Sequence, residues 1–214
     1  MNLRKALLTV TALWLLAVST TGWSQVFDQL MQAADKGDAK AVAVLLDKGA
    51  DPNSVDKNGL TLLMVASVQG HMDLVRLLVD RKADMNRRSP SGDTALMLAS
   101  FKGHLEVVKL LVDRGAQLSQ PGWTALHFAA FDGRTEVVKY LLGKGAEKDT
   151  LAPNGYTALL LAMRGGHMDA ARELLYSDAD VNIKGARGET ALSLAKSRND
   201  KELEALIRRA GAVE

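Results

Sequence analysis

The chain repeats itself. A Thr-x-Leu-x-x-Ala core begins at Thr61, Thr94, Thr124, Thr157 and Thr190, at steps of 33, 30, 33 and 33 residues. In the copy that starts at Thr61, Leu63, Val65 and Ala66 form one apolar run, the turn Gln69-Gly70-His71 reverses the chain, and Leu74, Val75, Leu77, Leu78 and Val79 form a second. Apolar residues at spacings of three and four predict helices. Each copy therefore encodes a helix pair too small to bury its own apolar faces. Such pairs must stack on one another, and the array grows by addition with no single central core.

Local chemistry agrees. Each core threonine stands where a helix N-cap belongs, its hydroxyl able to accept from amides one turn in. Gly49, past the end of an apolar run, suits the left-handed conformation that closes a helix. Small residues at one place in every copy (Ala66, Ala99, Ala129, Ala162 and Ala195) allow close helix approach. The unit boundaries read 25–58, 59–91, 92–121, 122–154, 155–187 and 188–214. The first unit lacks the threonine start and the last carries a charged second helix, so both read as polar caps. The 92–121 unit is three residues short, and the loss falls in the loop after Leu118.

This period and pattern resemble the ankyrin repeat over nearly everything after about Phe27. The resemblance implies an all-α repeat solenoid of about six helix-turn-helix units, joined by short β-turn or hairpin fingers. It departs from the family's Thr-Pro-Leu-His start. The proline is replaced by Leu62, Ala95, Ala125, Ala158 and Ala191, and the histidine survives only as His127. In the family that histidine bonds the threonine and a loop, a role not expected of Met64, Met97, Leu160 or Ser193 in the same way.

Residues 1–24 read as a secretory signal peptide. Arg4 and Lys5 precede the apolar or weakly polar run Ala6 to Val18, and cleavage is expected after Ser24. Thirteen residues are short for a span, which needs roughly 20. The expected location is the periplasm or the exterior, with no stable membrane insertion once the signal is removed. The alternative is a retained anchor, making the array a membrane-tethered structural spacer. Without those residues, 25 basic and 25 acidic side chains remain, so charge gives no case for nucleic acid. The chain has no cysteine, which excludes disulfides, thiolate metal sites and cysteine nucleophiles.

No catalytic, metal or cofactor site is expected. His71, His104 and His167 occupy one place in successive units, on the order of 10 Å apart, whereas zinc ligands meet their ion at about 2.0–2.1 Å. Asp51, Asp84, Glu147 and Asp180 recur singly at finger starts, where aspartates bond their own backbone. No phosphate-binding glycine loop and no Gly-x-Ser-x-Gly elbow occurs.

Binding is the expected function. The resemblance places partner contacts on the finger tips and on the exposed face of each first helix. The position before the threonine holds Leu60, Asp93, Trp123, Tyr156 and Glu189. The position two before the inter-helix glycine includes Val68, Phe101, Phe131 and Arg164. Phe101, Trp123, Phe131 and Tyr156 are thus expected to form a concave aromatic ridge, with Leu60, Asp93, Arg164 and Glu189 as further contacts. Trp and Tyr make effective interface anchors. Phe128 and Tyr140 are expected to pack within the array. The short third finger should leave a notch beside Trp123, and Arg87, Arg88, Lys184 and Arg187 could form a charged rim. The expected partner of a monomer is another protein, an envelope enzyme or a toxin, which exported ankyrin proteins of this kind protect, assist or inhibit.

Overall fold

The computed structural model describes residues 25–213. The expected signal peptide lies outside the described residues. These hold twelve helices: α1 (25–35), α2 (Ala39–Asp47), α3 (Leu62–Gln69), α4 (Met72–Asp80), α5 (Ala95–Lys102), α6 (Leu105–Asp113), α7 (Ala125–Phe131), α8 (Thr135–Gly143), α9 (Ala158–Gly165), α10 (Met168–Tyr176), α11 (Ala191–Ser197) and α12 (Lys201–Arg209). They form six antiparallel pairs. From α3 to α11 the first helices pack in one row, while α2 to α12 form a second. Among the described residues no strand forms, and the fingers contribute one isolated antiparallel bridge, Val55 to Thr61.

The cap residues act as the sequence predicts. The hydroxyl of Thr61 accepts from the Met64 amide at 3.2 Å, and those of Thr94, Thr124, Thr157 and Thr190 accept from the third residue of their helices. Ser193 differs from expectation: its Oγ accepts from the Thr190 amide at 2.9 Å, so a serine closes the cap that a histidine closes at Thr124. A short hydroxyl suffices because the amide lies one turn away. The small row is sealed, with Ala66, Ala99, Ala129, Ala162 and Ala195 fully buried between Leu63, Leu96, Leu126, Leu159 and their neighbours.

Units are tied by side chains of the following unit. The Nε2 of His71 bonds the Asp35 carbonyl at 2.9 Å, and that of His104 bonds the Val68 carbonyl at 3.1 Å. Arg134 donates likewise to the Phe101 carbonyl and Arg198 to the Arg164 carbonyl. His71 and His104 are therefore clasps, and arginine serves the same purpose. The clasp also explains Gly70. Its φ is +76°, and a Cβ there would lie 2.8 Å from the His104 ring. In the last described unit no further unit stacks on the turn, and Asn199 holds the matching left-handed position at φ 55°.

The fingers carry a second tie. Asp51, Asp84 and Asp180 accept from the amides of Asn53, Asn86 and Asn182, as the turn reading predicts. Asn53 and Asn86 then accept from the Asp84 and Gln117 amides of the next finger, at 2.7 and 2.9 Å. The short finger breaks this regularity. A Cβ on Gly59 would meet Pro90 of the next finger, but one on Gly92 would reach only Arg88. The Arg88 guanidinium crosses instead, donating to Gln120 Oε1 at 2.8 Å and to the Pro121 carbonyl at 3.0 Å.

Candidate functional site

First helices and fingers put the residues before each threonine, and those four and seven after it, along one face. A helix turns 100° per residue, so positions four and seven lie one above the other. On this face the unit starting at Gly122 carries Trp123, Phe128 and Phe131, and the unit starting at Gly92 adds Phe101. The Phe101 ring stacks near Phe131, with centroids 6.4 Å apart, and meets Phe128 edge-on at 6.1 Å. Trp123 lies 5.6 Å from Phe128 and meets the His127 ring edge-on. The four carbocycles form one continuous patch. Phe131 is 50% exposed, while Phe101, Trp123 and Phe128 are half-buried. Lys102 places its ammonium 5.3 Å from the Phe101 centroid. Leu98, Val65 and Leu60 extend the patch as half-buried apolar residues toward the N-terminus.

His127 supports the patch from below. It is buried, accepts from the Thr124 amide through Nδ1, and donates from Nε2 to the Thr150 carbonyl of the next finger at 2.9 Å. Burial lowers its pKa, and the Thr150 carbonyl opposes that shift only in part. It is a neutral, structural imidazole. Tyr140 also packs within the array, its hydroxyl donating to Asp113 Oδ1 at 3.1 Å.

Tyr156 corrects the sequence reading. It was expected on the open ridge, yet only 7% of it is exposed. Its hydroxyl donates to Glu189 Oε1 at 2.9 Å, and the Arg164 guanidinium covers its ring at 4.7 Å while ion-pairing with Glu189. Gly185 closes the edge, since a Cβ there would lie 2.6 Å from the ring. Burial, then the bond to Glu189, raises the phenol pKa. Burial also pushes the Glu189 carboxyl up. The amides of Glu189 and Arg187, the Tyr156 hydroxyl and the Arg164 guanidinium outweigh that push, leaving it below its ordinary 4.5. Three expected contact residues are thus spent on one another. A polar partner 33 residues on closed the site, which no inspection of single positions reveals.

The remaining expectations divide. Leu60 is half-buried in the extension of the patch. Asp93 is half-buried, and its carboxylate makes no hydrogen bond or ion pair among the described residues. The finger beside Trp123 is bridged by Arg88, and Trp123 packs partly against the core. Arg87 donates to the Asn53 carbonyl, so two of the four rim cations brace neighbouring fingers. Phe128 was expected only to pack. It does so, and it is also the central ring of the open patch. The signal was present in the sequence: it lies three residues before Phe131, one helical turn along the same face.

Among the described residues, no cluster of three or more His, Asp or Glu could hold a metal ion. None of the described helices is long and apolar enough to cross a membrane. The face offers area, rings and isolated charges, with no convergent acid–base pair.

Comparison with known proteins agrees with this architecture. The family described as ankyrin repeats (3 copies) matches residues 30–121 and 117–185, and the chain belongs to that family. The crystal structure of an ankyrin repeat domain from Acinetobacter baumannii AYE is similar, with a TM-score of 0.80 and 29% identity, over 86% of this chain and 98% of that one. No curated protein matches the chain. Ankyrin repeats generally mediate protein–protein interaction, and the fold is typically a non-enzymatic interaction scaffold.

Proposed function

We propose that this protein is an exported scaffold that holds another protein of the cell envelope against the aromatic patch on its first-helix face. The observation that carries the reading is the patch itself. Phe101, Trp123, Phe128 and Phe131 are gathered at positions that elsewhere hold Val65, Val68 or Leu98, so folding does not require rings there. Rings held partly buried by their neighbours are pre-ordered, and bind with little loss of side-chain freedom. The basic pair and apolar run before Ser24 support export.

A photo-crosslinking residue at position 131 tests the binding face, with position 176 as control, since Tyr176 is 67% exposed on a second helix. A discrete adduct from envelope extract is expected at 131 and not at 176, and Trp123→Ala should remove it. Identical adducts at both positions, or none affected by Trp123→Ala, would refute the assignment. Intact-mass measurement tests export: loss of Met1 to Ser24 is expected, and their retention would instead make the array a tethered spacer.

A further inference from the structure

Charge on this body is unevenly placed. Residues 25–214 balance at 25 basic and 25 acidic side chains. Beyond the base residues Asp51, Asp84, Glu147, Lys148, Asp149 and Asp180, the five finger tips (54–60, 87–93, 117–123, 150–156, 183–189) and the first helices α3, α5, α7, α9 and α11 hold eight basic residues against three acidic. The remainder holds 17 against 22. A neutral molecule thus turns a positive side toward the aromatic patch.

The order along the finger row is more informative than the total. The first two tips carry the cations Lys57, Arg87 and Arg88, and the last carries Lys184 and Arg187. The two tips between them, over the patch, carry no charge, since Glu147, Lys148 and Asp149 lie at the base of the fourth finger, and they present Leu151 at 50% exposure. Arg87 and Arg88 donate to carbonyl and amide oxygens, so no carboxylate neutralises them. Lys57, Lys184 and Arg187 are exposed, with no side-chain ion pair among the described residues. Of the acidic residues on this side, Asp56 is spent on its own finger's amides and Glu189 on Arg164. Asp93 alone remains.

We infer that the partner presents a polypeptide segment whose apolar centre sits on the rings, with carboxylates on both flanks. This rests on the binding face proposed above and specifies its occupant. From the second finger to the fifth is three units, about 25–30 Å at the usual helix separation. An extended chain covers that span in about eight or nine residues. Cations at the ends favour acidic flanks through encounter rate and orientation, and the uncharged middle excludes them, because a carboxylate over the rings would lose its water without a partner.

Selection from a displayed library of random peptides of about 16 residues, long enough for the span and its flanks, tests this on the mature protein. The expected winners carry Trp, Phe or Leu at the centre and Asp or Glu toward both ends. A synthetic winner should bind the Lys57→Glu, Lys184→Glu, Arg187→Glu triple variant about tenfold more weakly at low salt, the difference shrinking as salt rises. Winners that need Trp123 and Phe131 but show basic or uncharged flanks would overturn the inference and leave the binding face standing. Winners indifferent to Trp123→Ala with Phe131→Ala would overturn the face. A labelled single-stranded oligonucleotide is the remaining arm: binding lost in the triple variant would mean that the cations read phosphate, and the inference fails.

Discussion

Units starting at Gly92 and Gly122 and units starting at Gly155 and Gly188 use the same positions in opposite ways. In the first pair, Trp123 before the threonine and Phe131 seven after it stay partly open. In the second pair, Tyr156 and Arg164 hold those places, and Glu189 of the next unit locks both. The backbone is alike, with threonine caps and the same left-handed turn in both regions. What differs is whether a neighbour supplies a group that satisfies the side chain. A repeat position is therefore neither surface nor core by itself. Its status is a property of pairs of units, as expected of a quasi-one-dimensional fold whose stability resides in nearest-neighbour contacts.

The comparison breaks most easily at its rings. Tyr156→Ala should lower the melting temperature by about 6–10 °C, because it empties a covered site and removes the ring under Arg164 and the hydroxyl bonded to Glu189. Phe131→Ala, at an exposed ring, should shift it by less than about 3 °C. Thermal unfolding followed by circular dichroism reads both. Equal losses would mean that the two regions are not different in kind.

A pH series sharpens the same contrast. The folded-state pKa of Glu189 lies below its ordinary 4.5, so its contribution is complete above that value and is lost as pH falls through the folded value. Melting temperatures measured from about pH 7 to about pH 3 should fall less steeply in Glu189→Gln than in the unaltered protein. An unchanged slope would show that the brace is not held by the carboxylate.

The smallest effect tests packing beneath the open pair. Ser67 and Ser100 each bury a hydroxyl with no hydrogen-bond partner, at a place where the next unit has Ala130. Ser100→Ala should be neutral or should stabilise by about 1 kcal/mol, since it removes an uncompensated polar group. Chemical denaturation measures it, and a loss of similar size would reveal a bond that the geometry does not contain.

Much of the molecule was legible in the amino-acid order. The step near 33 residues, the threonine caps, the turn aspartates and the alanine row each depend on contacts within a few residues or on identical neighbours, so local pattern suffices. The clasping by His71 and His104 was half legible: a shared position was visible, whereas its carbonyl target 36 residues earlier was not. The binding side was legible as a set of positions. Phe128 was misjudged in part, because a ring that packs can also remain half open.

By itself, then, the sequence determined the unit, the number of its copies and the face that carries spare residues. Local capping and apolar spacing leave no other way to bury those helices. Only the folded stack decided that Tyr156 closes while Phe131 stays open, and that Arg88 spans the short finger. Both outcomes require a side chain from the same or the next unit to arrive at hydrogen-bonding distance, and distance across a stack is not written in the order of residues.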